Sequence, residues 1–536
     1  MVVGAVTAVA DDVPASPVRN SATVAGWTLL SRATGLLRVV VLGAVLGPTY
    51  FANAFQTSYF VPNIVFTLIA GPVLAMVVVP GVVRSIGDGG LARAREMLSR
   101  VVGWLLLVSA GVVALLVVAA PLVAWTLNVG IPDPGQRARG LWLTSVLVLL
   151  VAPQVMLYCL ADLGVAAQRA CGRFALGSAA PAVENLVLIL AVLLAGWYYG
   201  SGLDFDHVPF GMVLALGVGS TVAVAVHAAL QLFGAARVGL LALPSLRWRQ
   251  DRDATAVTRR LARSVGVAAC PAAGMYVLLA LASSVPGGVF VVQLSYAVLF
   301  ALSYVSARAV SMAALPGFAH AAHRQDPASF ALAWRQGLSY AVIASLPLLV
   351  LLAVLSGPTA SLLAHGELRH TVLIGTLATC LAVVAVAQLV GGVGDLGSQA
   401  LYARLDDRIP RRASQLALGV KLLVGLSALL APSAGSRLIW LVVAILAGEL
   451  AAAVIVLMRL RRLLRPQRFI EFRPLARALL AAAAMVPITA AVWWLQRVHN
   501  GSQLSNLAVL VAGGVVALGV YALVLWSTMT RRAGAA

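Results

Sequence analysis

Ser31-Arg32-Ala33-Thr34-Gly35-Leu36-Leu37-Arg38 places two arginines inside an apolar run that extends from about residue 21 to residue 47. A helix of that length crosses a bilayer. An arginine near the centre of such a helix costs about 2.5–3.5 kcal/mol on insertion scales and is kept where it faces a protein interior or a watery cavity. Two in one helix imply a cavity that holds something anionic. A second apolar run follows at once, with Pro62-Asn63 in its first half and Val79-Pro80-Gly81 at its end.

The rest of the chain repeats this apolar character. Its 536 residues are 61% hydrophobic and only 10% charged, with a mean hydropathy of +0.97. That composition excludes a soluble globular protein and describes one polytopic, all-α membrane bundle. The net charge of +20 comes from 38 Lys and Arg against 18 Asp and Glu. The basic residues lie in short loops between apolar runs, where they orient the protein in the membrane, so nucleic acid is not the expected partner. Cys159, Cys171, Cys270 and Cys380 lack CxxC spacing and read as small buried hydrophobes. The first 20 residues lack the pattern of a cleaved signal peptide and read as a disordered lead-in.

The hydrophobic pattern predicts about fourteen spans, at 21–47, 51–82, 100–126, 140–161, 175–197, 208–233, 261–283, 289–318, 336–356, 371–398, 413–431, 437–458, 476–496 and 505–528. Charge placement tests this division. Arg32, Arg38, Arg308 and Lys421 fall inside spans, and Arg137, Arg139, Arg369, Arg437 and Arg497 fall in one set of alternate loops. Every other basic residue falls in the opposite set or within the first residues of a span adjoining it, as Arg100, Arg263 and Arg477 do; that side is therefore expected to be cytoplasmic, together with both termini.

A faint internal repeat divides the chain further. Val79-Pro80-Gly81 and Leu315-Pro316-Gly317 close the second and eighth spans, and Ser58-Tyr59 matches Ser295-Tyr296 at nearly the same offset. Two six-span halves follow, 21–234 and 261–458, joined by a cytoplasmic linker at 235–260. A cytoplasmic loop, the last two spans and a short tail complete the chain at 459–536. An even number of spans per half keeps the halves in the same orientation, with a substrate site between them.

No nucleotide loop, metal-binding pattern or nucleophile set is present, so neither an enzyme nor a cofactor or metal site is expected. The chemistry rests on ionisable groups inside spans. Arg32 and Arg308 reach similar depth, one from each half, and guanidinium groups grip phosphate through paired donors. Such a cavity suits a pyrophosphate. Arg38 lies about a third of a turn from Arg32 and joins the cavity if Gly35 lets the helix bend; otherwise it reaches to the interface. Glu184 with Asn185, Asp395 in its glycine-rich surroundings, and Lys421 are cavity or coupling candidates. Each of these, like Glu449, reads equally as a structural ion pair.

Ser31-Arg32…Gly35…Arg38, then Leu46-Gly47, Asn53-Ala54-Phe55 and Pro62-Asn63, resembles the start of the MurJ/MviN family of lipid II flippases in the MOP superfamily. The resemblance continues at Gly164…Gln168…Gly172-Arg173-Phe174, Ala180-Pro181 and Asn185, and at Tyr402-Ala403-Arg404…Asp406…Arg408…Pro410. It implies a two-lobe bundle, spans 1–6 and 7–12, plus two C-terminal spans forming a lipid-tail groove. It also implies a flippase for a polyprenyl-pyrophosphate-linked sugar, most simply lipid II, working by alternating access in the plasma membrane. Ser31, Asn63, Arg32, Arg38 and Arg308 would contact that substrate, and membrane lipids and cell-wall synthesis proteins would be its partners. The chain departs from the family pattern at Asn53, where the family has aspartate, and at Phe66, Thr67 and Leu299, in regions where it often has charge. Those departures keep open an exporter of a different lipid-linked saccharide. A MATE-type cation antiporter would want acids in the cavity rather than two arginines. A non-transporting envelope scaffold is the remaining alternative.

Overall fold

The computed structural model describes residues 17–69, 71–264, 269–370, 373–498 and 503–530. Residues 1–16 of the expected lead-in, and the tail with Arg531 and Arg532, lie outside the described residues. The first helix begins at Pro17, so the last residues assigned to the lead-in are helical.

Among the described residues the chain is helical and has no strand. The first half contains α1 (Pro17–Leu46), α2 (Tyr50–Ile69), α3 (Gly71–Asn128), α4 (Pro134–Val151), α5 (Gln154–Ala170), α6 (Ala175–Tyr199) and α7 (Phe210–Arg237). A linker with α8 (Arg252–Ser264) leads to the second half. That half contains α9 (Ala269–Ala282), α10 (Gly288–Val305), α11 (Ala307–His323), α12 (Pro327–Val354), α13 (Ser356–Leu363), α14 (Leu373–Ala403), α15 (Arg408–Ser427) and α16 (Ala434–Leu463). The chain ends on α17 (Phe472–Val498) and α18 (Gln503–Thr530).

Twelve described helical stretches are long and apolar enough to cross a membrane, and the chain is a multi-pass membrane protein. Two expected spans do not reach that standard. The span at 51–82 runs through α2 and the start of α3, where Asn53, Gln56, Thr57 and Ser58 are all buried and lower the hydropathy. Within the span at 261–283, α9 has 14 residues, and residues 265–268 lie outside the described set.

Local chemistry fixes the corners. Asp133 caps α4 by accepting from the Gln136 backbone N–H at 2.6 Å, with Pro134 at the first turn. Asp326 caps α12 in the same way through Ala328 and Ser329. The long α3 turns at Gly89 and Gly90, where Gly90 has φ 68°, a conformation that favours glycine. Above that turn the buried Asp251 carboxylate accepts from Arg100 at 2.5 Å and lies 3.1 Å from Arg93. Burial would raise its carboxyl pKa; the Ala254 and Asp253 backbone N–H groups and the two guanidiniums outweigh that and hold it below the usual carboxylate range. This clasp between linker and first half is therefore intact at neutral pH and is lost only as pH falls through that lowered value.

The two C-terminal helices pack on the second half. Ala478, Ala481 and Met485 of α17 and Tyr521 of α18 pack on Leu346 and Val350 of α12. The Tyr521 hydroxyl donates to the Ile343 carbonyl at 2.8 Å.

Among the described residues, the hydrogen bonds between the halves gather at the arginine-poor end. Asn53 of α2 donates from Nδ2 to the carbonyls of Val285 and Ser283, at 2.7 and 3.3 Å, and accepts from the Val289 N–H at 3.2 Å. The Ser283 hydroxyl donates to the Leu127 carbonyl at 2.6 Å, and Thr126 meets Tyr276 at 2.6 Å. Asn53 thus fastens α2 to the turn between α9 and α10. Asn53→Ala leaves the Ser283 carbonyl and the Val289 N–H without this partner, at about 1–3 kcal/mol each, while the Val285 carbonyl keeps the Gly288 N–H at 2.8 Å. Thermal unfolding in detergent, followed by tryptophan fluorescence, should show a clear fall in midpoint. Asn53→Asp, which keeps only the acceptor for Val289, should fall between. An unchanged midpoint for Asn53→Ala would show that the joint does not depend on it.

Candidate functional site

Three residues meet between the halves. Arg32, near the middle of α1, lies with its guanidinium carbon 4.5 Å from the centre of the Tyr304 ring. Arg308, in the first turn of α11, lies 4.8 Å from the same ring. The two guanidinium carbons are therefore no farther apart than the sum of those distances. Tyr304 and Arg308 flank Ser306, where φ −112° and ψ −112° interrupt the helix and separate α10 from α11. Among the described residues neither guanidinium has a hydrogen bond or an ion pair.

Magnitudes show what this arrangement favours. Two unit charges at that separation repel by about 2 kcal/mol at an effective dielectric constant near 20. Each cation–π contact returns about 0.5–2 kcal/mol. The ring roughly offsets the repulsion and leaves the hydrogen-bond donors unused. A dianion between the guanidiniums would reverse the repulsion and also take up those donors.

Arg308 belongs to a second space as well. A cavity of about 260 Å³ is walled by second-half residues alone, among them Arg308, Asp395, Lys421, Glu449 and Tyr296. Lys421 Nζ lies 3.0 Å from Glu449 Oε1. Gly448 permits this, because a Cβ there would collide with the Lys421 side chain. Asp395 faces the cavity and has no hydrogen bond or ion pair among the described residues. The sequence places the substrate site between the halves; the structure puts Arg32, Tyr304 and Arg308 there and gives the second half a cavity of its own.

The other candidates form a knot inside the first half. Glu184 Oε1 accepts from the Tyr59 and Tyr158 hydroxyls at 3.0 and 2.9 Å, and Oε2 lies 2.6 Å from His227 Nδ1. Arg38 donates to the Tyr59 hydroxyl at 3.1 Å and to Asn185 Oδ1 at 3.0 Å. Asn185 in turn donates to Thr34 Oγ1 at 3.2 Å and to the Ser31 carbonyl at 3.3 Å. Five helices meet here. Arg38 thus sits with Glu184 and Asn185, apart from the Arg32–Tyr304–Arg308 contact. Asn63 is half-buried on α2, and its carbonyl accepts from Thr67.

Sequence reasoning did not name Tyr304, His227 or Tyr158. Two signals were available. Tyr304 precedes Arg308 by four residues, the spacing that puts two side chains on one face of the unbroken helix expected at 289–318, although the structure breaks that helix at Ser306, and His227 is the ionisable residue within the apolar run of α7. Tyr158 carries no such mark.

Removing a buried carboxylate that several groups share costs about 3–5 kcal/mol. Glu184→Ala should therefore accumulate poorly and unfold at clearly lower temperature. Glu184→Gln, which still offers the two tyrosines an acceptor, should be affected less. Equal, small effects of both changes on the thermal midpoint would refute the knot as a stabilising element.

A family model described as lipid II flippase MurJ matches residues 42–512. A probable lipid II flippase MurJ of Rhizobium meliloti is 29% identical over 204 residues, 38% of this chain and 37% of that protein. One from Synechocystis is 25% identical over 354 residues, 63% of each chain. The chain thus spans between about a third and just under two thirds of these curated relatives. Among solved structures, "Lipid II flippase MurJ, inward closed conformation" superposes with a TM-score of 0.71 at 15% identity, over 95% of this chain and 99% of that one. An inward-facing multidrug resistance MATE family transporter of the MOP superfamily gives 0.62 at 14% identity, over 82% and 96%. At such identities the likeness is one of fold, the MOP-type bundle.

Proposed function

This chain belongs to the lipid II flippase MurJ family, and from that premise we propose that it moves a polyprenyl-pyrophosphate-linked sugar across the plasma membrane. The peptidoglycan precursor lipid II is the cargo this reading favours. The observation that carries it is the pair of arginines, one from each half, brought onto one tyrosine ring with no hydrogen bond or ion pair among the described residues. A pyrophosphate offers each guanidinium its own phosphoryl group, and binding it displaces the ring from between them.

The transport cycle follows from where the halves are joined. They are hydrogen-bonded at the arginine-poor end, which this reading places outside, with both termini and the linker in the cytoplasm. The headgroup enters from the cytoplasmic side and meets Arg32 and Arg308. The halves then rock about the bound anion, part at the Asn53 joint and release the headgroup outside. Lys421 is held by Glu449 and is therefore a structural cation rather than a ligand for the cargo. The α17–α18 pair, outside both halves, offers the surface along which the lipid tail lies. Proteins that use the delivered precursor in cell-wall synthesis are its expected partners.

A second cargo, another lipid-linked saccharide, draws support from Phe66 and Leu299. Phe66 packs on the Tyr158 ring at 5.8 Å, and Leu299 is buried against the second-half core. Charges often present in family members in these regions are replaced by apolar packing.

Arg32→Ala and Arg308→Ala should each weaken binding of a polyprenyl-pyrophosphate sugar by at least about tenfold, the loss of one charged hydrogen-bonded pair. The matching monophosphate should be affected less. Neither variant should complement a strain depleted of its own lipid II flippase, although both accumulate in the membrane. Arg32→Lys should retain partial activity, because an ammonium lacks the paired donors. Full complementation by both alanine variants would end the case for this site. Binding intact toward a different lipid-linked sugar, with no complementation by the parent, would favour the second cargo.

A further inference from the structure

The end of the bundle that carries the arginines holds a formed cavity away from the central site. There α16 runs out at Leu463, residues 464–471 turn the chain, and α17 starts at Phe472. The turn is fastened to α12 at two points. The Trp334 indole N–H donates to the Phe469 carbonyl at 3.1 Å, and Arg335 donates to the Arg468 carbonyl at 3.2 Å. The Trp334 and Phe469 rings lie 5.3 Å apart. Between these elements is a cavity of about 1520 Å³.

Five arginines border it: Arg335 from α12, Arg461 from α16, Arg468 from the turn, and Arg473 and Arg477 from α17. The one carboxylate on its wall, Glu471, lies 3.8 Å from Arg335. Among the described residues the guanidiniums of Arg461, Arg468, Arg473 and Arg477 have neither a hydrogen bond nor an ion pair. The remaining wall is apolar and open to the surroundings, with Val454, Met458 and Phe472 at 43%, 49% and 77% exposure.

Membrane orientation requires arginines near this end but is indifferent to where their side chains point. It does not account for four unpartnered guanidiniums converging from three elements on one space whose carboxylate is already engaged. Like charges so gathered repel until an anion joins them. Guanidinium forks match phosphate oxygens, and basic pockets between membrane helices at the cytoplasmic side suit anionic headgroups. An exposed apolar wall beside the charges suits acyl chains. We propose that this cavity holds the phosphate headgroup of an anionic phospholipid from the adjoining leaflet, with its chains along Val454, Met458 and Phe472. Bound there, the lipid bridges α12, α16 and α17 and ties the C-terminal pair to the second half.

The test titrates the purified full chain with phosphatidylglycerol or with phosphatidylcholine of matched chains, and counts retained lipid by native mass spectrometry. The parent should prefer phosphatidylglycerol by about tenfold or more. Arg461→Gln/Arg473→Gln/Arg477→Gln should lose that preference. Arg408→Gln/Arg411→Gln/Arg412→Gln removes equal charge from the same end, away from the cavity, and should keep it. Equal retention of both lipids by the parent, or a preference that survives in the cavity variant, overturns the proposal. So does equal loss in both variants, which would mean diffuse attraction. Displacement of the phospholipid by inorganic pyrophosphate at equal concentration would make this a site for soluble phosphate and overturn it too. Arg32 and Arg308 are intact throughout, so binding of a polyprenyl-pyrophosphate sugar in the same samples reads the central site separately.

Discussion

A charge inside an apolar bundle has to be answered from another helix, and the Glu184 carboxylate is where this chain meets that demand most fully. Tyr59, Tyr158 and His227 reach it from α2, α5 and α7, and Arg38 joins from α1 through Tyr59 and Asn185. Leaving such a group without partners in a bilayer would cost several kcal/mol. The first half can therefore assemble in only one register, because every helix in the knot contributes a specific atom. α1 and α6 are held together where the Asn185 amide reaches Thr34 and Ser31.

Against that background Arg32 and Arg308 stand out. Arg38, Lys421 and Glu184 are satisfied by protein groups; Arg32 and Arg308 share one aromatic ring. The difference sets these two apart from the paired charges more sharply than depth in the membrane does. A ring face offers attraction without fixing geometry and can leave without stranding a hydrogen bond. Arg308 also borders the second-half cavity with Asp395 and Glu449, so an anion arriving between the halves changes the field in that cavity.

Much of this was legible in the residues. Apolar run length gives twelve of the fourteen expected spans, and an arginine within a span of each half marks the meeting of Arg32 and Arg308. The pairing of Lys421 with Glu449 was one of two readings and needed coordinates to decide. The partition of the arginines did not follow from sequence: Arg32 and Arg38 are six residues apart on one helix, and the positions of Tyr59 on α2 and Asn185 on α6 draw Arg38 into the first half. The second-half cavity was hidden for a similar reason, since its walls come from six helices whose relative rotation no periodicity specifies. Tyr304 went unremarked because an aromatic residue in an apolar helix is ordinarily packing.

The joint at Asn53 and the arginines at the centre are linked by energy rather than by contact. Asn53 makes three hydrogen bonds across the halves, worth about 0.5–1.5 kcal/mol each in net terms. Parting the halves at that end therefore costs a few kcal/mol, before apolar contacts are counted. Moving a two-state equilibrium from one side to the other takes about 5.5 kcal/mol of differential binding. Two guanidinium–phosphate pairs, at about 1.5–3 kcal/mol each, supply energy of that order if they form better in one arrangement of the halves than in the other. An aspartate at position 53 would gain a charge and lose both donations to Val285 and Ser283, so its hold on the joint would depend on protonation. Asparagine holds the joint without that dependence, which leaves the occupant of the central site as the group whose arrival changes the balance.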